Sequence, residues 1–138
     1  MSIADPLRES LRRALAQMPF VRMGLLFGSH ARGTAGADSD VDVAVQAPAS
    51  EGPAIAAALS AVCGREVDVV ILEDPPIPLL DALVREGELI FEAERGAAAR
   101  WRTSALLTLE TDRPWYERMS KAWLARVARE GLPWSTAP

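Results

Sequence analysis

The sequence predicts a mixed α/β (α+β) fold: a small sheet of about four strands flanked by helices, closed by a helical C-terminal tail. Three observations carry this. Short alternating or β-branched runs recur at 21–27, 41–45, 67–72 and 89–91. Stretches with helical spacing separate them. Gly, Pro and Asp punctuate the joins. With 138 residues, 49% apolar and 25% charged, the chain has the length prior of one domain and a composition unlike that of a disordered chain. Residues 1–138 therefore read as a single domain, an α/β core over 1–93 followed by helices over 94–138.

Taken in order, Asp5-Pro6 combines an N-cap with proline at the first helical position. Leu7, Leu11, Leu15 and Met18 then share one face, so 6–18 is an amphipathic helix stopped by Pro19. Val21, Met23, Leu25 and Phe27 alternate as a strand, with partial burial expected on its other face at Arg22, Gly24 and Leu26. Residues 28–39 hold three glycines and almost no large apolar group, which makes a loop with room for one helical turn. Val41, Val43 and Val45 mark the second strand. A turn over 48–53 leads into an alanine-rich helix over 54–62, stopped by Gly64. Residues 67–72 form a β-branched third strand, and 74–78 a stiff proline-rich connector. Leu79, Leu80, Leu83 and Val84 give a short helix closed by Gly87, and Leu89 to Phe91 a fourth strand. Residues 94–109 are helical again. Asp112-Arg113-Pro114 is expected to break or kink the run, with Asp112 capping a last helix over 115–129 that ends at Gly131 and Pro133.

Composition narrows the function. The single Cys63 excludes an internal disulfide and a cysteine-based zinc site, and reads as a small buried hydrophobe. No stretch is long and apolar enough to span a membrane, and the first residues lack the apolar segment of a signal peptide, so a cytoplasmic protein is expected. A net charge of −4 argues against a general nucleic-acid binder. The charge is uneven: residues 1–94 hold 7 Arg against 15 acids, whereas 95–138 hold 8 Lys+Arg against 4 acids. Trp115, Met119 and Trp123 share a face of the basic tail, either as core or as a partner-binding stripe flanked by Arg118, Lys121, Arg126 and Arg129.

The chemistry concentrates upstream. Asp40 and Asp42, two apart at the start of a strand, point to one face, while Val41, Val43 and Val45 point to the other. Two like charges so placed repel unless something neutralises them, and a divalent cation with phosphate oxygens does that. Asp68 is a third acid in an apolar strand, and it joins the pair if the second and third strands are neighbours. Gly28-Ser29 follows a strand end, where backbone approaches a phosphate closely and free N–H groups form an anion nest. The loop fits neither the dinucleotide fingerprint nor the Walker A pattern.

Gly28-Ser29, ten residues, then Asp40-x-Asp42 resembles the signature of the DNA polymerase β-like nucleotidyltransferase superfamily. The fuller run from Leu26 to Gly33 and from Asp38 to Val45 resembles its minimal nucleotidyltransferase (MNT) group, and Gly64-Arg65-Glu66-Val67-Asp68 is similar to that group's third-acid strand. The stretch from Arg102 through Pro114 is loosely similar to its helical tail, so the likeness covers nearly the whole chain. It implies a nucleotidyltransferase fold in which Asp40 and Asp42 hold two Mg²⁺ ions. Asp68 would be a further metal ligand or the base that activates the attacking hydroxyl, and Gly28 and Ser29 would hold the phosphates of ATP. Arg32 is a candidate for phosphate binding or for pinning the loop, and His30, where a longer polar residue is often expected, for a phosphate contact, nucleotide stacking or a loop cap. The resemblance further implies an antitoxin that transfers AMP from ATP to a tyrosine of a HEPN ribonuclease toxin, with no membrane or stable nucleic-acid partner and with homo-oligomerisation left open. A small-molecule (aminoglycoside-type) nucleotidyltransferase needing a separate helical chain is the first alternative, and a non-catalytic toxin-binding module the second. The presence of all three acids favours an enzyme over the binding module.

Overall fold

The computed structural model describes residues 6–33, 35–36 and 39–130. Asp5, Asp38, Gly131 and Pro133, named above for caps, motif and helix stops, lie outside them. Among the described residues, β1 (Met23–Phe27), β2 (Val41–Gln46), β3 (Val67–Ile71) and β4 (Glu88–Glu92) form one sheet in the order β3-β2-β1-β4. β1 runs antiparallel to both β2 and β4, whereas β2 and β3 are parallel. A parallel pair needs a crossover, and α3 (Gly52–Cys63) supplies it.

Helices cover both faces. On one, Leu11 and Leu15 of α1 (Pro6–Ala16) and Ile55 and Leu59 of α3 pack on Leu26, Val41, Val43, Val45 and Val67. On the other, Leu83 of α4 (Ile77–Glu86) meets Met23, Leu25 and Ala44. Outside that layer, Leu80 and Val84 of α4 pack against Ala105 and Leu109 of α5 (Ala97–Glu130). This corrects one expectation in part: on the second face of β1 Gly24 and Leu26 are buried, and only Arg22, just before the strand, is exposed. Leu26 is fully buried because β1 is a central strand with a helical layer on each side.

The second correction concerns the tail. α5 is one unbroken helix of 34 residues with Pro114 inside it, so Asp112 sits mid-helix and is not an N-cap. Proline removes the hydrogen bond to the carbonyl four residues back. Here both Pro114 and Glu110 are exposed, so water can satisfy that carbonyl, and the local rule loses to continuity. α4 likewise begins earlier than its apolar pattern suggests, because Pro78 falls in the first turn, where its missing N–H costs nothing.

Candidate active site

Topology brings three strand ends together. β2 and β3 are parallel, so both begin at the same end of the sheet, and β1, running the other way, finishes there. In the register, Asp42 pairs with Asp68 on β3 and with Phe27 on β1. Asp40 lies two residues before Asp42 and Gly28 directly follows Phe27, so the three acids and the Gly-Ser turn share one edge. Asp42 is half-buried, while Asp40 and Asp68 are exposed. The pattern of Val67, Val69 and Ile71 packing toward α3 puts Asp68 on the opposite face, the face of Asp42.

Gly28 lies against Asp42. Its backbone has φ 76° and ψ −154°, a region essentially confined to glycine. A Cβ there would stand 2.5 Å from Asp42 Oδ2. Gly28 thus leads into α2 (Ser29–Arg32), a single turn closed by the Arg32 N–H donating to the Gly28 carbonyl at 3.1 Å.

The carboxylates are poorly compensated by protein charge. Burial raises the Asp42 carboxyl above its ordinary value, and the negative charges of Asp68 and then Asp40 add to this, with His30 and Arg32 partly offsetting them. Among the described residues no three His, Cys, Asp or Glu side chains form a group that would hold a metal ion alone. The donor chemistry still fits Mg²⁺, which takes one or two carboxylates plus substrate phosphates and keeps several waters, and does not need an all-protein cage.

Other predicted residues take structural posts. Arg32 is exposed, and its Nη1 donates to Glu86 Oε2 at 3.1 Å, so it ties α2 to the end of α4. His30 Nε2 lies 3.2 Å from the Ser39 carbonyl and 3.3 Å from Arg65 Nη1, which itself donates to the same carbonyl at 3.4 Å. An N–H at Nε2 donates to Ser39; without one, the nitrogen accepts from Arg65. Either way, His30 and Arg65 hold the backbone next to Asp40, which supports the loop-cap reading of His30. Cys63 is partly buried, burial pushes its thiol up, and it packs against the main core.

Sequence reasoning missed three of these supports. Arg8 of α1 donates from Nη2 to the His30 carbonyl at 3.2 Å and grips Glu88 with Nε at 2.5 Å and Nη2 at 3.1 Å. Nothing in a linear reading joins Arg8 to Glu88, which are 80 positions apart. Arg65 had a legible signal, a cation at the mouth of the third-acid strand. A cleft of about 590 Å³ bordered by Phe20, Arg22, Gln46 and Ala93 lies at the opposite end of the sheet, away from the acids.

The family model for polymerase beta nucleotidyltransferases matches residues 9–96, well over half of the chain and all of the site just described. No curated protein matches. Several solved structures share the fold. A chain from the crystal structure of a toxin–antitoxin with AMP-PNP superposes with a TM-score of 0.71 at 19% identity, covering 85% of this chain and 98% of that one. A chain from the toxin–antitoxin MntA–HepT gives 0.66 at 16% identity, covering 86% and 97%. One from the tri-AMPylated Shewanella oneidensis HEPN toxin in complex with MNT antitoxin gives 0.62 at 18% identity, covering 84% and 92%. The Gly28-Ser29 turn and the acids at the sheet edge fall where the family model aligns, and the chain belongs to the polymerase beta nucleotidyltransferase family.

Proposed function

We propose that this protein is the antitoxin of a HEPN–MNT pair and transfers AMP from ATP to a tyrosine hydroxyl of its HEPN toxin. The observation that carries the reading is the in-register pairing of Asp42 with Asp68 beside the Gly28-Ser29 turn. The AMP-PNP bound in one structural relative and the tri-AMPylated toxin in another support the donor and the acceptor.

Asp40 and Asp42 would hold Mg²⁺, which when bound would neutralise the carboxylates and polarise the phosphates. The Gly28 backbone, bare of a Cβ, and Ser29 bind the β- and γ-phosphates. Asp68, exposed beside Asp42, takes the proton of the acceptor hydroxyl. The hydroxyl oxygen bonds to the α-phosphorus, the bond to the bridging oxygen breaks, and pyrophosphate leaves. Positioning and electrostatics supply most of the acceleration in phosphoryl transfer, and the same argument extends to a nucleotidyl group. The exposure of Asp40 and Asp68 suits a macromolecular acceptor approaching from solvent.

The test is the intact mass of the neighbouring-gene product after incubation with this protein, ATP and Mg²⁺. A gain of whole AMP units, absent with Asp42→Asn, is expected. An unchanged mass with a stable complex would replace catalysis by neutralisation through binding.

A further inference from the structure

α5 outlives its support. Its first half is held by α4: Arg102 donates to the Val84 carbonyl at 2.8 Å, Leu80 and Val84 cover Ala105 and Leu109, and Arg113 pairs with Asp81. The contacts descend α4 as they climb α5, so the two helices are antiparallel, and α4 begins at Ile77. Past Arg113, α5 continues for 17 residues, roughly 25 Å at 1.5 Å per residue, with no buried side chain. A lone helix of that length is marginal in water.

The apolar seam does not stop where α4 stops. Tyr116, Met119 and Trp123 continue the line of Ala105 and Leu109 at helical spacing, with Trp115 beside them. Trp115 is 58% exposed, Met119 51% and Trp123 36%. Together with Arg126 and Arg129 they border one open face of the helix. Residues 113–130 carry five Lys+Arg against two Glu. Two copies meeting through this face would bring like charges together, whereas an acidic surface would be attracted.

We infer that the distal half of α5 is the docking surface for an acidic, amphipathic helix of the partner protein, which takes up the seam where α4 leaves it. Trp and Arg are the residue types that dominate interface energies, and here they sit together. Under the proposed function the partner is the HEPN toxin, and the inference rests on that reading.

The test measures binding of the full-length chain to the neighbouring-gene product, with helicity and ATP binding followed in parallel. Trp115→Glu/Met119→Glu and, separately, Arg126→Glu/Arg129→Glu should each weaken binding by about tenfold or more, with ATP binding unchanged. Leu107→Glu, exposed before the extension, should bind as wild type. Wild-type affinity in both double variants overturns the surface. So does a wild-type dimer that the Trp115→Glu/Met119→Glu change converts to monomer, because a second copy is then the occupant. If the unaltered protein neither binds nor modifies the product, the toxin reading itself fails, an outcome the variants cannot mimic.

Discussion

Gly28→Ala separates backbone strain from placement of Asp42, the acid proposed above to act in catalysis. At φ 76° and ψ −154° an alanine is strained by about 1–3 kcal/mol. For a domain of this size each kcal/mol lowers Tm by roughly 4 °C, so strain alone should lower it by about 4–12 °C, with the collision described next adding to this. The new Cβ also needs the space of Asp42 Oδ2, 2.5 Å away, so the carboxylate must move. Displacing a catalytic group by about an ångström can cost roughly 100-fold in rate. Gly33→Ala is the control: its φ of 74° costs about 1–2 kcal/mol, but nothing lies within 4 Å of the added carbon. It should therefore lose Tm and keep transfer activity. A thermal melt and single-turnover AMP transfer read the two effects. In an Asp42→Ala background, Gly28→Ala should cost less, because the collision is gone and only the strain remains. Wild-type transfer by Gly28→Ala, or an equal stability cost in both backgrounds, would refute the reasoning.

Asp42→Asn tests the electrostatics of the metal-free protein. Burial first, then Asp68 and Asp40, raise the Asp42 carboxyl above its ordinary 3.8, so the fold binds that proton more tightly than the unfolded chain does. The linked stability is present below the ordinary value and lost as pH rises through the raised one. In chelator, the asparagine variant should melt at or above wild type near neutral pH, and the two should converge in acid. A clear drop in its Tm near neutrality would show that the acids are compensated after all. Arg8→Gln tests the support of the Gly-Ser turn. It should raise the KM for ATP severalfold with little change in Tm, because a partly exposed pair contributes only about 0–1 kcal/mol. Arg8→Lys should not rescue it, since one ammonium cannot reproduce the fork on Glu88. An unchanged KM would mean the contact to His30 is incidental.

The acid pair was legible because a two-residue period fixes a face whatever the strand pairs with. Asp68 was legible only conditionally, since its role depended on β2 and β3 being neighbours, which no local pattern states. Arg8, Glu88 and the tie between Arg32 and Glu86 were illegible, because they depend on where α1, α4 and β4 meet the turn in space. The tail was misread for the opposite reason. Pro114 is a strong local signal, but its cost depends on whether the deserted carbonyl meets water, and solvent exposure at Glu110 and Pro114 is a property of the fold.

What places the third carboxylate is the core rather than the acids themselves. Asp42 and Asp68 repel, so nothing between them favours their pairing. The register is held by Val41, Val43 and Val45 on β2 against Val67, Val69 and Ile71 on β3, all facing α1 and α3. A slip of β3 by one residue would turn Val67, Val69 and Ile71 outward and carry Asp68 into the apolar layer. Burying a bare carboxylate there is far costlier than leaving it beside Asp42 at an open edge. The hydrophobic pattern thus holds two like charges in adjacent register, and their repulsion, only partly offset by His30 and Arg32, is what the proposed cation would relieve.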